Sequence, residues 1–147
     1  IYWCAPWNDP RAPRILKGEE AVRRFTEGRV NKFVCIERDR EQLQALGRRL
    51  ETLPGLEITS SWADNYELMP QGVSKGRAVK ELAEKMGIGP DQVMTVGDFD
   101  NDLSMIEYAG YGTAMGNATP KVKAAAKYVT LTNDEDGVAA AIRKYVL

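Results

Sequence analysis

What most limits the fold of this chain is a strict alternation of strand-like and helix-like segments, running from Pro70-Gln71-Gly72 to the C-terminus. Ser74 is placed to cap a helix with Ala78, Val79, Leu82, Ala83 and Met86 on one face, ending at Gly87. Residues 92–96 read as a short buried-type strand running into Gly97, followed by a helix over about 102–109 and a strand over 111–115. Thr119-Pro120 is an N-cap with proline at the first helical position, opening a helix to about Lys127. A strand over 128–131 comes next. Thr132 and Glu135 then form a T-x-x-E capping box before a helix with Val138, Ile142 and Tyr145 on its face. Alternation of this kind predicts α/β architecture with a doubly wound, Rossmann-like parallel sheet. Ligands of such sheets bind outside the carboxyl ends of the strands.

The first half has a different rhythm. Ala21, Val22 and Phe25 are at helical spacing between Gly18 and Gly28, and residues 30–36 form a β-rich run. Asp39 followed by Gln42 resembles a capping box, and Leu43, Leu46, Leu50 and Leu53 continue at helical spacing until Pro54-Gly55. Residues 56–62 and 66–69 read as two short strands joined by an Ala63-Asp64-Asn65 turn. The expectation is a small α+β layer with an antiparallel sheet over residues 1–69, then the parallel α/β part over 70–147. A chain of 147 residues suffices for one ordinary domain or two undersized halves. It begins Ile-Tyr-Trp-Cys, with no Met, basic n-region or apolar h-region, so Ile1 is expected to be an internal position of a longer polypeptide.

Composition narrows the chemistry. The chain has no histidine, which excludes Ser-His-Asp, Cys-His and His-ligated zinc chemistry from its own residues. Cys4 and Cys35 make no C-x-x-C pair. Twenty basic residues against 21 acidic ones demand neither nucleic acid nor an anionic membrane as partner. No apolar run approaches the ~18 residues of a membrane span. Carboxylates, lysines, amides and backbone remain.

These groups cluster at the expected strand ends. Gly97-Asp98-Phe99-Asp100-Asn101-Asp102 packs three carboxylates into five residues. One reading is a helix start in which Asn101 or Asp102 caps the next helix. The other is a Mg²⁺ site, since this hard cation takes one or two carboxylates and keeps waters and a substrate phosphate. Gly72-Val73-Ser74-Lys75-Gly76 precedes it, with glycines that would let the backbone approach a ligand and Lys75 at a helix N-terminus. An ammonium there could neutralise a phosphate, or simply be a solvated lysine. Ala114-Met115-Gly116-Asn117-Ala118 and Asn133-Asp134-Glu135-Asp136-Gly137 follow later strands, as ligand-facing loops or as ordinary caps.

In this order the four segments resemble the C-terminal half of Cof-like phosphatases of the haloacid dehalogenase (HAD) superfamily. The resemblance is specific over residues 66–147 and weaker over 28–65, which is similar to the second half of that family's α/β cap domain. It implies that Lys75 binds the substrate phosphoryl group and restrains the nucleophile, and that Asp98 ligates Mg²⁺ as part of a GDxxND motif. It further implies that Asn101 contacts phosphate and that Asp102 supports the metal from a second layer, through water. The implied enzyme is a cytoplasmic phosphatase acting on a small phosphate ester, such as a sugar phosphate. No nucleic acid or membrane partner is implied, and oligomeric state is left open.

One departure stands out. The family attacks phosphorus with an Asp of an N-terminal DxDGT motif, forming an aspartyl-phosphate, and a second Asp two residues on acts as general acid/base. No DxDGT occurs in this sequence; its D-x-D, Asp98-Phe99-Asp100, belongs to GDxxND. The upstream Ser/Thr phosphate motif is also missing. The expected chain therefore carries roughly half an active site and is inactive by itself, with Asp100 pointing to solvent. Two alternatives are a non-catalytic binding or regulatory module on the same core and the cytoplasmic part of a P-type ion pump, which shares a GD…ND motif.

Overall fold

A computed structural model describes residues 2–3, 16–17 and 31–147, in two compact units, Ile1–Asn31 and Lys32–Leu147. In the first unit, β1 (Tyr2–Trp3) pairs antiparallel with β2 (Leu16–Lys17). The helix expected around Ala21, Val22 and Phe25 lies outside the described residues.

The second unit opens with β3 (Phe33–Ile36), α1 (Arg40–Leu50), β4 (Leu56–Thr59) and β5 (Asn65–Pro70). β5 is central, with β3 and β4 antiparallel on either side. The expected α+β arrangement with an antiparallel sheet is present over residues 33–70, whereas the stretch before Lys32 falls in the other unit. Asp39 caps α1, its Oδ1 accepting from the backbone N–H groups of Glu41 and Gln42 at 2.9 and 3.2 Å. The reciprocal half of the box falls to Glu37, whose Oε1 accepts from the Asp39 N–H at 2.9 Å. Leu43, Gly47 and Leu50 form the buried face of α1. Gly47 lies against the Tyr66 ring so closely that a Cβ would collide with it. Leu53, assigned to the same stripe by spacing, is beyond the helix end and half exposed.

Two buried polar side chains organise β5. Asn65 Oδ1 accepts from the Ser61 and Trp62 backbone N–H groups, both at 3.1 Å, so the β4–β5 turn winds around a side-chain amide. Glu67 is buried yet fully partnered: Lys32 Nζ reaches Oε2 and Ser61 Oγ donates to Oε1, each at 2.8 Å. Burial alone would push this carboxyl upward, but the Lys32 and Ser61 hydrogen bonds and the Lys32 and Lys75 charges outweigh it. The net direction is downward.

At Pro70–Gly72 the architecture changes. Val73 N–H donates to Pro70 O at 3.0 Å, and Gly72 takes φ +79°, a left-handed conformation that favours glycine. There follow α2 (Lys75–Met86), β6 (Met94–Gly97), α3 (Leu103–Tyr108), β7 (Tyr111–Ala114), α4 (Pro120–Ala125), β8 (Tyr128–Val129) and α5 (Gly137–Tyr145). The strands form a parallel sheet in the order β6-β7-β8. This is the α/β, Rossmann-like arrangement that the alternation predicts. Its core gathers Ile106, Ala114, Met115, Ala118 and Val122, with Val96, Leu103, Met105 and Ala126 packed around them. Among the described residues, no helix is long and apolar enough to cross a membrane.

Two helical faces differ from expectation. Leu82 and Met86 of α2 are 59% and 65% exposed, and the helix buries Gly76 and Ala83 instead. In α5, Gly137 and Ala141 are buried, whereas Val138 and Ile142 are exposed. Spacing marks an apolar stripe, but close backbone packing selects the small residues within or beside it. Gly76 lies directly on the Ser104 backbone and donates its N–H to Ser104 Oγ at 3.0 Å.

Two outcomes follow. Gly76→Ala would drive a Cβ into the Ser104 carbonyl, so its urea midpoint should fall by the equivalent of about 1–3 kcal/mol; an unchanged midpoint would refute this packing. Glu67, whose folded value lies below the ordinary 4.5, stabilises the fold fully above that pH and progressively less as pH falls through the folded value. Glu67→Gln should cost about 1 kcal/mol at neutral pH, and the gap to wild type should close below pH 4.5 in thermal unfolding.

Candidate functional site

The residues singled out by sequence gather at the carboxyl ends of β6, β7 and β8 and at the start of α2. Asp102, in the 3₁₀ turn Asp100–Asp102 that leads into α3, is 4% exposed. Its Oδ2 accepts from the Asp98 N–H at 2.9 Å and the Phe99 N–H at 3.3 Å, while its Oδ1 is bonded by Lys75 Nζ. Gly97 makes room for it, since a Cβ at position 97 would strike the Asp102 side chain. Lys75 is fixed by α2, whose Ser74 Oγ caps the helix by accepting from Arg77 N–H at 3.1 Å. One buried carboxylate thus joins a helix start to a strand end.

Lys75 and Asn101 line a single cleft of about 470 Å³ between the antiparallel layer and the parallel sheet. Tyr66, Glu67 and Lys32 face it from the antiparallel side; Asp100, Ser104 and Lys121 face it from the other. The two sides touch through backbone: Asn101 N–H donates to Ser60 O at 3.2 Å. Trp62 is 61% exposed and lines a separate shallow depression.

Asp98 occupies a neighbouring position. It is exposed, does not line this cleft, and its Oδ2 accepts from Asn117 Nδ2 at 3.3 Å. No other hydrogen bond to its carboxylate is formed among the described residues. Asp100, expected to face solvent, is instead held by Lys121 Nζ at 3.3 Å and Thr119 Oγ1 at 3.4 Å. The reason is local. Thr119-Pro120 starts α4 directly beside the Asp98–Asp102 loop, as the bond from Thr119 N–H to Asp98 O at 3.0 Å shows. Asn117 Oδ1 accepts from Asn133 N–H at 3.0 Å, bringing the fourth cluster into the same edge.

Sequence reasoning left Lys121 unassigned. The signal was available in Thr119-Pro120, which puts residue 121 in the first turn of a helix at the carboxyl edge. Lys32 and Ser61, which hold Glu67 in the cleft, carried no motif.

A hard divalent cation fits this donor set in a limited way. Among the described residues, no three carboxylates or cysteines converge. Both oxygens of Asp102 are already committed, so it can serve a cation only at one remove. Asp98 offers a single well-placed, exposed carboxylate, which suits Mg²⁺, an ion that keeps most of its waters.

A family model described as haloacid dehalogenase-like hydrolase matches residues 17–142. The chain is 50% identical over 92 residues to 5-amino-6-(5-phospho-D-ribitylamino)uracil phosphatase YcsE of Bacillus subtilis (strain 168), covering 63% of this chain and 37% of that protein. It is 39% identical over 116 residues to pyridoxal phosphate phosphatase YbhA of Escherichia coli (strain K12), covering 79% and 43%. Among solved structures, a haloacid dehalogenase-like hydrolase from B. subtilis superimposes with TM-score 0.76 at 39% identity, over 85% of this chain and 45% of that one. A HAD subclass IIB sugar phosphatase superimposes with TM-score 0.74 at 30% identity, over 84% and 46%. The chain thus spans less than half the length of these relatives. With the model match running across both layers and over most of the sequence, the chain belongs to the haloacid dehalogenase-like hydrolases.

Proposed function

We propose that this chain supplies the cation-holding and charge-neutralising side of a Mg²⁺-dependent phosphatase for a small phosphorylated metabolite. Residues 70–147 are the C-terminal part of its catalytic core and residues 1–69 the C-terminal part of its cap. The observation that carries this reading is Lys75, gripped by buried Asp102 and lining the same cleft as Asn101. In the proposed reaction Lys75 and Asn101 hold the phosphoryl oxygens, Asp98 holds the cation, and Asp102 keeps both Lys75 and the Asp98 backbone in place. Mg²⁺ supplies neutralisation of the charge on the transferring phosphoryl group.

The nucleophile belongs to a segment outside these 147 residues, a DxDGT aspartate that forms the aspartyl-phosphate. Among the described residues β6 is an edge strand, and its other side, beside Asp98, is where we place a further strand bearing that aspartate. Relatives are named for a ribitylamino-uracil phosphate, pyridoxal phosphate and a sugar phosphate, which supports a small phosphate ester as substrate. The near-neutral charge balance supports the exclusion of nucleic acid. We place the enzyme in the cytoplasm on the same reading.

The purified 147-residue chain should show no turnover of sugar phosphates or p-nitrophenyl phosphate with Mg²⁺, because Asp102 and Asp100 are engaged with Lys75 and Lys121 and Asp98 is assigned to the cation, which leaves no carboxylate to attack phosphorus. Sustained hydrolysis that disappears in Asp100→Asn would overturn the proposal and make Asp98-Phe99-Asp100 a nucleophile motif. In a longer polypeptide carrying DxDGT, Asp98→Ala should abolish Mg²⁺-dependent turnover. Lys75→Ala should lower kcat by about 100-fold or more, as loss of one charge-stabilising donor does. Wild-type steady-state rates in either variant would remove that residue from the site.

A further inference from the structure

Asn117 stands in the loop after β7, between Asp98 and Asn133. Its two polar atoms are both used. The Asn133 backbone N–H lies 3.0 Å from Oδ1, and an N–H can meet only the amide's oxygen, so the orientation of the amide is set by its partner. Nδ2 is thereby turned towards Asp98, donating to Oδ2 at 3.3 Å. The ends of three adjacent parallel strands are joined in one line: Asp98 after β6, Asn117 after β7 and Asn133 after β8. Backbone bonds hold the middle loop in register, from Met115 N–H to Gly97 O and from Gly116 N–H to Leu131 O, both at 2.9 Å.

Asp98 needs such a restraint. Its carboxylate is exposed, and an unrestrained surface Asp samples several χ1 rotamers, only some of which aim a given oxygen at a bound cation. We propose that Asn117 is a positioning residue: its amide, oriented by Asn133 N–H, pins Oδ2 of Asp98 and leaves Oδ1 directed outward for a divalent cation. The metal part of this inference rests on the reading of Asp98 as a Mg²⁺ ligand; the positioning part does not. Partners of this kind, which orient a ligating carboxylate without touching the ion, typically contribute tenfold or more to affinity.

The test uses the 147-residue chain in solution and two variants, each checked for fold by its amide NMR spectrum. Asn117→Asp keeps an acceptor for Asn133 N–H but cannot donate to Asp98, whereas Asn117→Ala removes both bonds. Hα–Hβ couplings, measured without metal, should show one Asp98 χ1 rotamer in the wild type and averaging in both variants. A single rotamer surviving in either variant overturns the proposal; survival in Asn117→Asp alone would show that Asn117 only ties two loops together. Mg²⁺ titration followed at the Asp98 amide should show about tenfold weaker binding in Asn117→Ala, and equal affinity there also overturns it. Asp98→Asn should erase the Mg²⁺ response. A response that persists in Asp98→Asn, or one absent from the wild type, refutes the metal reading of Asp98 alone, and the rotamer comparison still decides the role of Asn117.

Discussion

The arrangement depends on a buried carboxylate with three donors. A charged group removed from water costs several kcal/mol unless its lone pairs are satisfied. Asp102 is satisfied by two consecutive backbone N–H groups at the end of β6 and by the Lys75 ammonium. Each donor comes from a part of the chain that must already be folded to reach it: the strand end must turn sharply, and α2 must start beside it. The same contact orders the loop before α3 and holds Lys75 at the cleft.

Around that contact the packing is set by residues with little or no side chain. Gly97 admits the Asp102 side chain, Gly76 admits the α3 backbone, and Gly112 and Gly137 sit on the carbonyls of Ile106 and Leu131. Such approaches bring helices close enough to the sheet for the strand-end loops to bond directly to one another, as Asp98, Asn117 and Asn133 do. A larger side chain at Gly76 or Gly112 would press on α3, and one at Gly97 on Asp102 itself. Small residues in this half therefore serve the geometry of the site as much as the stability of the fold.

Much of this was legible in the sequence, in the parts where local chemistry decides. Ser74, Thr119 and the Thr132/Glu135 pair mark true N-caps or turn starts, and the alternation of periods gives the parallel sheet. The clusters at residues 97–102, 114–118 and 133–137 meet at one edge because parallel strands end on the same side. What local signals cannot encode is which surface of a helix meets its neighbour: Leu82, Met86, Val138 and Ile142 have the right spacing and lie outside the buried seams. Nor can they encode pairs distant in sequence. Lys32 with Glu67 and Lys121 with Asp100 are made by topology, and each partner read alone is an ordinary surface charge.

The contact between the two layers at the cleft is made by backbone atoms, Asn101 N–H to Ser60 O. A main-chain bond is indifferent to side-chain identity. Ser60 can exchange its side chain while the turn keeps its distance from the Asp98–Asp102 loop, provided that Asn65 and Ser61 still hold the backbone path. Change is therefore cheap at Ser60 and expensive at Asn65 and Glu67, as it is at Lys75 and Asp102. A main-chain link of this kind lets one surface position vary while the spacing of the two walls is kept.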